Sequence, residues 1–105
     1  MSGIVGARVS KYETIEYVEE EVDGIPTGTS VETLLGVFES ENEAVARARA
    51  ARAAYGDRHE YAWWIAREQG GRIALWIGDS RSGREFVVDV TKEEVVDLRP
   101  TNRRR

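Results

Sequence analysis

Between residues 41 and 55 apolar positions return every three or four residues: Ala44, Ala48, Ala51 and Tyr55 make one stripe, with Val45 on its flank. That period predicts an amphipathic helix. Ser40 and Glu43 frame its start as a capping box. The Ser40 hydroxyl accepts from the Glu43 amide, and the Glu43 carboxylate accepts from the Ser40 amide. Acids in the first turn and Arg47, Arg49 and Arg52 further along suit the helix macrodipole. Gly56 supplies the C-terminal stop. A stripe made mostly of alanine is shallow, so this helix is expected to lie close against a sheet.

The rest of the chain reads in shorter, β-type periods. Residues 61–66 and 73–77 are rich in aromatic and β-branched residues, and Gly70-Gly71 lies between them. Paired glycines suit a two-residue type I′ hairpin turn. That register sets Glu68 opposite Ile73, Ala66 opposite Leu75 and Trp64 opposite Ile77. A third strand is expected over residues 85–90, after a turn at 79–83. Residues 95–98 read either as a short edge strand or as one capped helical turn. Upstream, Val31, Thr33, Leu35 and Val37 alternate and predict a strand over 31–39. Residues 9–22 fit two patterns. Thr14, Ile15, Tyr17 and Val18 favour a strand, while Val9, Tyr12, Ile15 and Val22 also make a helical stripe opened by Ser10-x-x-Glu13. Strand is the preferred reading, with the turn formers of 23–28 as its hairpin loop.

The resulting order is β-β-α-β-β-β, an α+β domain with a mostly antiparallel sheet and one helix on one face. Residues 1–100 are expected to form a single domain, and residues 101–105 a disordered basic tail. The length of 105 residues suits one domain. No signal peptide or membrane span is legible, so a cytoplasmic protein with no membrane association is expected. With no cysteine there is neither a disulfide framework nor a thiolate metal site.

Charge divides the chain. Residues 1–45 hold ten acids against Arg8 and Lys11, a balance of −8, and residues 46–105 hold nine acids against thirteen bases, a balance of +4. Such halves complement one another within the fold or across a symmetric dimer. Glu19, Glu20, Glu21 and Asp23 read as an acidic hairpin end, and Arg99 with Arg103, Arg104 and Arg105 as a basic terminus. A few arginines on an acidic chain do not make a nucleic-acid surface, and no such partner is expected.

Candidate chemistry is sparse. His59, the single histidine, lies in Asp57-Arg58-His59-Glu60 without a partner at a catalytic or metal-ligand spacing, and reads as a solvated loop residue. Residues 78–83 carry neither a G-x-S-x-G elbow nor a phosphate-binding loop. No catalytic residue, metal site or cofactor is implied, and no motif is specific enough to name a family.

The informative feature is Trp63-Trp64. Neighbouring strand residues point to opposite faces, so one helix cannot cover both tryptophans. In the two-residue register, Tyr61, Trp63 and Ile65 gather with Ala74 and Trp76 on the face away from Trp64. With a three-residue loop Trp64 instead faces Trp76 and the sets re-sort, yet each face still receives a tryptophan. Either other segments of the chain cover this second face or a partner does. Tyr61, Trp63, Ile65 and Trp76 are accordingly the candidate interface residues. The reading is a non-catalytic interaction or regulatory domain, expected as a homodimer, with another protein partner as the variant. A small ligand-binding or enzymatic domain, with the aromatic face lining a pocket, is the alternative. A nucleic-acid-associated protein comes third.

Overall fold

A computed structural model of the protein describes residues 11–71, 73–89 and 94–97. The elements are β1 (Tyr12–Val22), β2 (Ile25–Phe38), α1 (Glu41–Tyr55), β3 (Ala62–Glu68), β4 (Ala74–Asp79), β5 (Glu85–Asp89) and β6 (Glu94–Asp97). They form one sheet in the order β2-β1-β3-β4-β5-β6, antiparallel at every neighbouring pair. The helix lies on one face of this sheet, against β1, β2, β3 and β4. This is the expected α+β arrangement. Residues 94–97 take the strand form of their two readings. The basic terminus with Arg103, Arg104 and Arg105 lies outside the described residues.

Local chemistry explains most boundaries. Both halves of the capping box are formed: the Glu43 amide donates to Ser40 Oγ at 3.2 Å, and the Ser40 amide donates to Glu43 Oε1 at 3.1 Å. Gly56 ends the helix at a φ of +68°. The strand reading of residues 12–22 holds. Their hairpin loop, however, shrinks from the expected 23–28 to Asp23-Gly24, at φ values of +55° and +80°. Two positive φ angles are what a two-residue type I′ turn requires, so Ile25 onward is free to pair and β2 starts six residues earlier than its alternation suggests.

The β3–β4 register differs by one residue from the two-residue reading and puts Trp64 and Trp76 on one face, as the three-residue alternative does. Trp64 pairs with Gly78, Ile65 with Ile77 and Ala66 with Trp76, and a bulge follows between Ala66 and Arg67. The bulge is the cause: Arg67 still pairs with Ala74, as a two-residue turn sets it, and Leu75 is the extra residue before Ala66 meets Trp76. The Gly71 amide donates to the Glu68 carbonyl at 2.8 Å, and Gly70 alone of the two glycines takes a positive φ. β4 begins at Ala74, and Ile73 stays outside it, 54% exposed. A slip of one residue exchanges the faces of a strand. Trp76 comes to lie under the helix, and Ile77 turns away from it.

The core sits between helix and sheet. Ala44, Ala48, Ala51 and Tyr55 of α1 meet Ala62, Trp64, Ala66 and Trp76 of the sheet. The alanines let α1 approach closely enough for the buried Thr14 hydroxyl to donate to the Ala44 carbonyl at 2.7 Å. Tyr55 meets Trp64 edge to face at 5.4 Å, and the Trp64 indole donates to Glu16 Oε1 at 2.8 Å. Buried aromatic polar ends thus find partners.

Ser40→Ala removes the side-chain half of the cap. It is expected to lower stability by about 0.5–2 kcal/mol, read as a shifted denaturant midpoint at unchanged slope.

Candidate functional site

Opposite the helix, the register aligns one apolar residue from each of five strands. Leu34 of β2, Ile15 of β1, Ile65 of β3, Ile77 of β4 and Phe86 of β5 are successive cross-strand partners. Ile15 is buried within this band, whereas Leu34 at its β2 end is 55% exposed. Beside it runs an aromatic row. Tyr17 stacks on Trp63 with centroids 5.2 Å apart and planes 10° from parallel, and Tyr61 leans on the same indole at 5.7 Å. The far end of the face closes with the Glu13–Arg67 ion pair at 2.7 Å. Among the described residues no element packs over this side.

Tyr61, Trp63, Ile77, Gly78, Asp79 and Phe86 enclose a shallow concavity of about 320 Å³. Its polar groups are already engaged. The Tyr61 hydroxyl donates to Asp79 Oδ2 at 2.9 Å, and Asp79 Oδ1 accepts from the Arg81 and Ser82 amides at 2.9 and 2.7 Å. Burial pushes the Asp79 carboxyl up, but these amides and the Tyr61 hydroxyl outweigh it and hold it below its ordinary value. Burial raises the Tyr61 phenol, and the Asp79 hydrogen bond adds to that. Both groups therefore keep their usual charge states near neutral pH, and the concavity presents carbon to an incoming group. The Arg81 guanidinium lies 5.0 Å from the Tyr61 ring at the rim.

Of the four candidate interface residues, Tyr61, Trp63 and Ile65 come together on this open face. Trp76 does not: it lies on the helix side, 1% exposed. Its indole donates to Glu85 Oε1 at 2.8 Å. Arg49 pairs with the same carboxylate at 2.6 Å, and Arg52 approaches its other oxygen at 3.7 Å. Both guanidinium groups also lie over the Trp76 ring, at 6.0 and 5.6 Å. Tyr17, Ile77 and Phe86 belong to the open face and were missed. The ambiguous period of residues 9–22 hid Tyr17, and the one-residue slip concealed Ile77.

Compared with known proteins, the chain matches no family model, no curated protein and no solved structure.

The remaining candidates fall into place around the face. His59 is exposed as expected but not isolated, since its Nδ1 lies 2.7 Å from Glu21 Oε1. Among the described residues no group of three or more histidines and carboxylates could hold a metal ion. No helix there is long and apolar enough to cross a membrane.

Two outcomes test the buried side. A Cβ on Gly78 would meet the Trp76 ring at 2.6 Å and Arg52 Nη1 at 2.7 Å, so Gly78→Ala is expected to cost about 1–3 kcal/mol in denaturant unfolding, as overpacking does. Burial pushes the Glu85 carboxyl up, but the Trp76 indole with Arg49 and Arg52 outweighs it and holds it below its ordinary value. The stability it contributes is complete above the unfolded value of about 4.3 and is lost as pH falls through the lower folded value. Melting temperature is expected to fall across that acid range, and less steeply in Glu85→Gln.

Proposed function

We propose that this chain is a non-catalytic self-association domain, and that its open sheet face is the contact between two copies. The observation that carries the reading is the apolar band of five strands with the Tyr17–Trp63–Tyr61 row beside it, on the side opposite the helix. Aromatic side chains bury about 150–250 Å² each. Tyr17, Tyr61 and Trp63 are each half-buried, so together with Leu34, Ile65, Ile77 and Phe86 they leave an apolar patch of roughly a few hundred Å², large for a soluble monomer. At about 25 cal/mol per Å², burying it from both copies contributes on the order of 10 kcal/mol, against association costs of roughly 4–15 kcal/mol or more. A two-fold axis is the natural symmetry, because one patch then serves both partners. Trp63 is its centre, with Tyr61 and Ile65 as neighbours. Trp76 contributes only by holding the opposite side of the sheet rigid.

Light scattering is expected to give a mass of twice the 11.8 kDa chain at micromolar concentration. Trp63→Glu is expected to give a folded monomer, because a charge would be buried in the contact while the helix-side core stays intact. A wild type that is monomeric at high micromolar concentration would overturn the reading and favour a small-ligand pocket.

A further inference from the structure

The β1–β2 hairpin continues past the body of the sheet. Pairing of β1 with β3 ends at Val18 and Ala62, with one more bond from the Glu19 amide to the Tyr61 carbonyl at 2.8 Å. Pairing of β1 with β2 runs on to Val22 and Ile25. Beyond Glu19 the two strands have only each other, and an isolated two-stranded hairpin is marginal in water. This one is braced. Thr29 Oγ1 donates to Glu20 Oε1, and the His59–Glu21 contact ties β1 to the segment leading into β3. Its tip nevertheless presents Val22 and Ile25 to solvent at 62% and 67% exposure, beyond that of any other large apolar side chain described. A braced arm that ends in two exposed aliphatic residues is an arrangement to be explained.

We propose that the Val22–Ile25 tip of one copy seats in the Tyr61–Trp63–Ile77–Phe86 concavity of a second copy, reciprocally about the two-fold axis. This rests on self-association through the open face and names the element that completes it. The area argument comes first. A patch of roughly a few hundred Å² falls short of the roughly 800 Å² per partner of a standard interface, and an arm laid across the partner supplies further area. Size is the second argument. A volume of about 320 Å³ lies at the small end of the 300–1,000 Å³ range of ligand sites, which suits a pair of aliphatic side chains better than a large cofactor. Charge is the third. Residues 19–30 carry Glu19, Glu20, Glu21 and Asp23 and no base, while the exposed Arg81 stands at the rim of the concavity. Within one chain the hairpin lines no part of the concavity, so the second copy brings the two together.

The chain has no cysteine, so introduced thiols are the only ones present. Ile25→Cys and Ile77→Cys proteins, mixed under copper phenanthroline, are expected to give a mixed disulfide dimer in large excess over either self-linked species. Ile25→Asp, a change at an exposed position, is expected to weaken the dimer at least tenfold while the circular-dichroism spectrum of the monomer stays that of the wild type. Self-linked Ile25→Cys in excess would mean that tips meet tips, and would overturn the proposal. So would an Ile25→Asp dimer as tight as wild type. If Trp63→Glu dissociates the dimer while Ile25→Asp does not, the face is the contact and the arm is not its occupant. A monomeric wild type removes both.

Discussion

Trp76 lies under α1 with its indole nitrogen on Glu85 and two arginines over its ring, and the rest of the architecture depends on that placement. The helix offers mostly alanine to the sheet, so the bulk that fills the space must come from the strands. Trp64 and Trp76 supply it. Gly78, the cross-strand partner of Trp64, leaves room for the Trp76 ring and Arg52 at a point where any Cβ would collide with both. Once Trp76 is committed to this side, the pleat sends Ile77 to the other, where it meets Ile65 and Phe86. The buried core and the open apolar band are thus two consequences of one register.

The ionic groups follow the same division. Glu85 draws Arg49 and Arg52 from the helix to the sheet edge of the core, so two of the helix arginines cover Trp76 as well as solvate the surface. Arg67 and Glu13 close one end of the open face. Asp79 with Tyr61 satisfies the polar atoms at its other end. Between those ends the face is mostly apolar, with Glu32 beside Tyr17 at its β2 edge. The acidic surplus of the first half of the chain is partly matched by the second half through Arg67–Glu13. Glu19, Glu20 and Asp23 make no described ion pair with that half, and they lie on the projecting hairpin.

Features set within a few residues of one another are written directly in the sequence. Helix 41–55 was legible with its cap, its buried stripe and its stop, because capping and helical period act over three or four positions. The α+β class and the antiparallel strands followed from alternation and turn formers, and adjacent tryptophans guaranteed one for each face whatever the register. The ambiguous segment 9–22 became β1 through tertiary context: its strand form pairs on both edges, with β2 and with β3. The tertiary structure alone decided which tryptophan each face received, how far β2 extends, and that Trp76 is core while Ile77 and Phe86 join Trp63. The physical reason is parity. A strand's faces alternate with every residue, so one bulged residue between Ala74 and Trp76 reverses the rest of β4 and places Trp76 against Glu85 and Arg52, residues that no local pattern around it announces.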